Sequence, residues 1–275
     1  MKPFQAKLAA SWRLSGSMLC VGLDPDLAQM PAPLRGLDDG DAIERFCIDI
    51  VDATAEVCCA FKPQFAYFAS IGAERTLERV CAYIREAHPN HILLLDAKRG
   101  DIGPTADHYS REAFVRYGAD AVTVNPYLGT DAVEPFLRHE GKATFILCRT
   151  SNPGGDDFQS LLVDGQPLYT HVARRVAEQW ARIGECGLVI GATYPGEVGV
   201  VRDIVGDLPF LIPGVGAQGG DVEATVQAGH DSTGLGLLMS SSRAILYASS
   251  GEDYAEAATR VASATRDQIR LVSTG

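Results

Sequence analysis

Residues 93–105 read LLLDAKRGDIGPT: three leucines, an acid, a base, a second acid after a glycine, and then Gly-Pro-Thr. An unbroken apolar run that stops at charged residues and turn formers reads as a strand buried on both faces, because a half-exposed strand would alternate. The stretch that follows, residues 106–117, spaces its apolar residues among charged ones, as a helix covering a sheet requires. The same unit recurs along the chain. Apolar runs occupy 18–23, 57–61, 92–95, 121–124, 144–148, 188–190, 210–212 and 234–239. Helical stretches are expected at 41–56, 73–87, 106–117, 131–138, 168–183, 198–205 and 222–228, with the last helix beginning near Ser242. Eight βα units are the number that closes a barrel. The expected fold is therefore α/β, a (β/α)8 TIM barrel, with residues 1–275 forming a single domain, since no Pro/Ser-rich linker or change of composition divides them. A doubly wound open sheet would place a glycine-rich phosphate turn after its first strand. Here the first strand runs into VGLDPD instead.

Composition narrows the function classes. The 275 residues carry 24 Lys+Arg against 35 Asp+Glu, a formal charge of -11. An acidic surface argues against nucleic acid or anionic lipid as partner, so an anionic ligand needs a locally positive pocket. The longest stretch free of Asp, Glu, Lys and Arg is the thirteen residues 208–220, short of the roughly 18 that a membrane helix needs. Residues 1–20 lack the continuous apolar run of a secretory signal, and the expected location is cytoplasmic. Seven cysteines without a CxxC pair, most of them inside apolar runs, read as buried reduced thiols. His88 and His91 have no clustered ligands of other types, so no metal site is expected.

In a (β/α)8 barrel the active site lies at the C-terminal strand ends, and those positions are unusually polar here. They are Asp24 after the first run, Lys62 after the second, Asp96, Lys98 and Asp101 after the third, and Asn125 after the fourth. Thr150 and Ser151 follow the fifth run, Gly216, Gln218 and Gly219 the seventh, and Arg243 the eighth. Alternation puts Asp96 and Lys98 on one face and Arg99 on the other. A strand-end ion pair could simply brace a turn, but a further lysine at the neighbouring strand end favours chemistry, because lysines are seldom buried without function. The glycines of PGVGAQGG and Arg243 at a helix start favour a phosphate group. Ser151 belongs to no nucleophile elbow. Trp12 and Trp180 read as packing residues.

With these segments assembled, LLLDAKRGDIGPTA resembles the signature of the orotidine 5'-phosphate decarboxylases. The segments VGLDPD, AFKPQFAYFAS, TVNPYLG, RTSNPGG, IPGVGAQGGD and SSSRAILYAS resemble a longer bacterial subgroup of that family, over residues 21–249. The resemblance implies cofactor-independent decarboxylation of orotidine 5'-monophosphate to UMP. It implies a charged network of Lys62, Asp96, Lys98 and Asp101, with Lys98 as proton donor. It also implies that Asp24 and Lys62 contact the ribose, Ser151 the pyrimidine edge, and Gln218, Gly219 and Arg243 the phosphate. A homodimer is implied too, with Asp101 and Thr105 reaching into the neighbouring subunit's site. One departure is Ser240, where the subgroup's pattern leads one to expect Asn. Three other readings remain at this point: a Schiff-base aldolase using Lys98, a metal-assisted phosphosugar decarboxylase, and a nucleotide-binding protein without catalysis.

Overall fold

The computed structural model describes residues 2–214 and 221–273. Eight parallel strands close into a barrel: β1 (Leu19–Leu23), β2 (Ala60–Pro63), β3 (Ile92–Arg99), β4 (Ala121–Val124), β5 (Ala143–Arg149), β6 (Glu185–Ile190), β7 (Phe210–Pro213) and β8 (Leu237–Ser241). Each strand pairs with its neighbours in sequence, and β8 closes the ring on β1 through Leu19↔Met239 and Cys20↔Ser240. The strands are buried on both sides, as their unbroken apolar runs require.

The expected strands all form, one to the residue and the others with shifted ends. The run at 57–61 divides into a 3-10 turn, Ala55–Val57, and a later strand that carries Lys62 inside it. β3 continues past its leucines to Arg99, so Asp96 and Lys98 are strand residues. The helix expected from Ser242 is two helices, Arg243–Leu246 and Tyr254–Ser273. Helices at 106–117 and 168–183 each contain a π turn, at Glu112–Arg116 and Val176–Trp180.

The sequence reading missed the helix Pro3–Ser15. Its Phe4, Leu8 and Trp12 lie four residues apart on one buried face. It docks across the N-terminal ends of the strands. The Glu185 carboxylate, at the start of β6, accepts the backbone N–H groups of Phe4 and Gln5, both at 2.9 Å, which satisfies first-turn donors that have no intrahelical partner. Ser11 Oγ donates to the Cys59 carbonyl at 2.5 Å and Trp12 Nε1 to the Leu237 carbonyl at 3.0 Å. Lys7 Nζ lies 2.6 Å from Asp120 Oδ2. Trp12 thus packs as expected and also bonds the first residue of β8. Gly16 (φ 57°) takes the left-handed conformation that ends the helix. All seven cysteines are buried and unpaired.

Candidate active site

β2 and β3 are adjacent, and the backbone carries their pairing on to a bridge between Gln64 and Asp96. That register brings the polar ends of two distant segments together. Lys62 Nζ lies 3.2 Å from Asp96 Oδ2, and Gln64 Nε2 donates to the same oxygen at 3.0 Å. Lys98 Nζ lies 2.7 Å from Asp96 Oδ1, and Thr123 Oγ1, from β4, donates to that oxygen at 2.8 Å. One carboxylate therefore receives four donors, about as many as its lone pairs can serve. Arg99 points away, as alternation predicts. It pairs with Glu112 at 2.8 Å and lies over the rings of Phe65 and Tyr109.

The electrostatics follow from burial and charge. Burial works against ionised Asp96, but the ammonium groups of Lys62 and Lys98 outweigh it and hold the carboxyl well below the usual carboxylate range. Burial likewise works against charged Lys62, and Asp96 and Asp24 outweigh it, so the ammonium is held above the ordinary lysine range. Both charges persist at neutral pH inside a wall of apolar strands. Cys20, beneath them on β1, is pushed by burial up to about 12 and stays a thiol.

Asp24, Lys62, Gln64, Asp96, Lys98, Ser240, Ser242 and Arg243 line a cleft of about 200 Å³ at the C-terminal barrel mouth. A second hollow of about 400 Å³ shares Asp96, Lys98 and Pro213 with it and adds Thr150, Ser151, Gln159, Gly191 and Leu211. Together they form one elongated depression with the charged cluster at its centre. Asp24 Oδ1 is buried with no hydrogen-bond partner among the described residues. Tyr247 fixes the backbone here, its hydroxyl accepting from the Asp26 N–H at 2.7 Å and donating to the Asp24 carbonyl at 3.0 Å. The chain at Ser151 packs directly on Gly191, where a Cβ would sit 2.7 Å from the Ser151 nitrogen. Ser240 is buried in β8.

The expected residues therefore fall into three groups. Asp24, Lys62, Asp96, Lys98, Ser151 and Arg243 line the depression. Asp101 and Thr105 stand outside these two hollows. Asp101 Oδ1 accepts the Ile102 N–H at 2.8 Å, and Thr105 is exposed on the helix Gly103–Arg111. Gly216, Gln218 and Gly219 lie outside the described residues.

Sequence reasoning missed Gln64, Thr123 and Arg149. Gln64 follows Lys62 by two, the spacing of one strand face, and that signal was available. Arg149, at the end of β5, is 3% exposed; it pairs with Glu197 at 2.6 Å and Asp156 at 2.7 Å and so ties down the loop that carries Ser151. Of these two partners, Asp156 is seven residues along and Glu197 is 48 residues away.

Residues 17–258 match the family model described as "Orotidine 5'-phosphate decarboxylase / HUMPS family". A curated relative from Janthinobacterium sp. (strain Marseille), named orotidine 5'-phosphate decarboxylase, is 58% identical over 266 residues, 97% of each chain. The chain belongs to the orotidine 5'-phosphate decarboxylase / HUMPS family. A relative of the same name from Bordetella pertussis (strain Tohama I) is 56% identical over 273 residues, 98% of this chain and 99% of its own. A solved structure titled as Leishmania donovani OMP decarboxylase superposes with a TM-score of 0.84 at 34% identity, covering 100% of both chains. The likeness to orotidine 5'-phosphate decarboxylases thus extends over the whole barrel, including the mouth.

Proposed function

We propose that this chain decarboxylates orotidine 5'-monophosphate to UMP and carbon dioxide, the final step of de novo pyrimidine biosynthesis, without a cofactor. Membership of the family and the full-length relatives named for this activity support the reading. The observation that carries it to individual residues is the Lys98 ammonium, fixed 2.7 Å from Asp96 at the open side of a buried charge cluster.

Breaking the bond between ring C6 and the carboxylate leaves an electron pair in an in-plane orbital that the ring π system cannot delocalise. Lys98 supplies the compensation: its positive charge faces the developing carbanion, and its Nζ proton then transfers to C6. The resulting amine regains its proton from solvent. Asp96, itself held by Lys62 through its other oxygen, keeps that ammonium in place before the reaction begins, so little reorganisation accompanies charge development.

The remaining roles are part of the same proposal. Asp24 offers an acceptor oxygen free of partners among the described residues, suited to a ribose hydroxyl, and Lys62 lies beside it. Ser151 faces the pyrimidine edge. Arg243, exposed at the start of the helix Arg243–Leu246, takes the phosphate together with Gln218 and Gly219. Binding there, away from the reacting carbon, holds the enzyme around the transition state. The protein acts as a cytoplasmic homodimer of single-domain chains, with Asp101 and Thr105 completing the neighbour's site. No helix among the described residues is long and apolar enough to cross a membrane.

The test follows orotidine 5'-monophosphate by ultraviolet absorbance in excess chelator, with wild type beside Lys98→Ala. Turnover by wild type alone is expected. A folded wild type that binds UMP without turnover overturns the reading. Sizing checks the dimer, which should run at about twice the 29.4 kDa chain mass.

A further inference from the structure

β3 and β4 pair normally at Leu94↔Ala121 and Leu95↔Val122, and again at Arg99↔Val124. Between those points Asp96, Ala97 and Lys98 stand opposite Thr123 alone. The backbone gains this slack at Lys98, whose φ of 44° is a left-handed conformation that side-chain-bearing residues rarely adopt. A bulge of this kind leaves backbone donors without their ladder acceptors. Both go to one atom: Thr123 Oγ1 accepts the Ala97 N–H at 3.1 Å and the Lys98 N–H at 2.9 Å. The hydroxyl's own proton goes to Asp96 Oδ1 at 2.8 Å, the oxygen that also holds Lys98 Nζ. Thr123 is 1% exposed and does not line the depression.

We infer that Thr123 is a positioning residue for the decarboxylation: its single hydroxyl holds the bulge that presents Lys98 and orients the carboxylate that aims its ammonium. The inference rests on the function proposed above. A threonine chosen only for strand formation would be replaceable by valine, which has the same shape and a high strand propensity. A threonine chosen for its hydroxyl is replaceable by serine and by no apolar residue. In Thr123→Val the two N–H groups lose their acceptor and one carboxylate oxygen loses one of its two donors. The ammonium of Lys98 then samples positions away from C6, while groups that bind ribose and phosphate keep theirs.

The experiment measures kcat and KM for orotidine 5'-monophosphate, and UMP affinity by titration, for wild type, Thr123→Val and Thr123→Ser in the full chain. Thr123→Val is expected to lose about 100-fold in kcat, as a displaced catalytic group does, with KM and UMP affinity within about threefold. Thr123→Ser should stay near wild type. In an Asp96→Asn background the valine substitution should cost less than it does alone, because part of its effect runs through that carboxylate. Wild-type kcat in Thr123→Val, equal losses in the valine and serine variants, or fully additive losses would each overturn the inference. Should Thr123→Val fail to fold, Thr123→Ala against Thr123→Ser carries the same comparison. An inactive wild type removes the functional reading itself, whereas an active wild type matched by Thr123→Val removes only the role of Thr123.

Discussion

Lys62 and Lys98 hold opposite oxygens of one carboxylate, and their side chains are 5% and 47% exposed. The same residue type thus sits in two environments at one cleft: one ammonium almost wholly buried in its wall, the other open to it. Lys98→Ala should lower turnover by about 1000-fold or more, since it removes both charge stabilisation and the proton, yet leave the fold and UMP binding intact. Lys62→Ala should lose activity and also stability, by about 3–5 kcal/mol, because it leaves the buried Asp96 with one ammonium fewer. Urea denaturation beside steady-state kinetics separates the two. Equal stabilities of the two variants would contradict the assignment.

The pH dependence of stability follows from the directions of the shifts. Asp96 is held below its ordinary value, so its contribution is complete above the unfolded value of about 3.9 and is lost as pH falls through the lower folded value. Lys62 is held above its ordinary value, so its contribution is complete below about 10.4 and is lost as pH rises through the higher folded value. Between about pH 5 and 10 the cluster therefore contributes a constant amount. Urea midpoints of wild type and Asp96→Asn should stay apart at neutral pH and converge as pH falls below about 3.9. A difference that does not shrink in acid would show that Asp96 titrates at its ordinary value.

Gly191→Ala should act on Ser151 without touching the charged cluster. The added Cβ would lie 2.7 Å from the Ser151 nitrogen and Cβ and 2.8 Å from its Cα, closer than packing allows. Gly191 follows β6 directly and its N–H donates to the Arg149 carbonyl at 2.8 Å, so the loop is the partner that moves. A displacement approaching 1 Å should reduce kcat/KM by about 10- to 100-fold while the circular dichroism spectrum stays unchanged.

Arg243→Ala should lose about 10- to 100-fold in kcat/KM for the nucleotide, the range of one charged hydrogen-bonded contact. The side chain is exposed, so thermal stability should barely move. Added inorganic phosphite or phosphate should compete with the nucleotide in wild type and not in the variant. Unchanged kinetics would remove Arg243 from phosphate binding.

The barrel was legible because fully buried parallel strands leave unbroken apolar runs, and 121–124 coincides with β4 to the residue. Lys62, Asp96 and Lys98 were legible for a related reason, since charged residues that end such runs on the inward face reach the barrel mouth. The supporting residues were hidden in different ways. Thr123 looks like any β-branched strand former, and only the register shift opposite it reveals its hydroxyl's use. The left-handed turn at Lys98 carries no glycine to announce it. The helix Pro3–Ser15 was overlooked although Phe4, Leu8 and Trp12 recur at helical spacing, because small and polar residues between them dilute the pattern. Asp101 and Thr105 lie outside the depression within one chain, so their proposed roles concern a second subunit.

The helix across the barrel floor has a consequence for how the chain reaches this state. It leaves the ribosome ahead of all eight strands, yet its Trp12 hydrogen-bonds the Leu237 carbonyl, 225 residues later. Its other anchors, Cys59, Asp120 and Glu185, are spread along the intervening sequence. Nascent barrels therefore carry an amphipathic segment that cannot complete its docking until β8 has emerged. Contacts of such long span form slowly, and docking of this segment becomes a late event that registers completion of the ring.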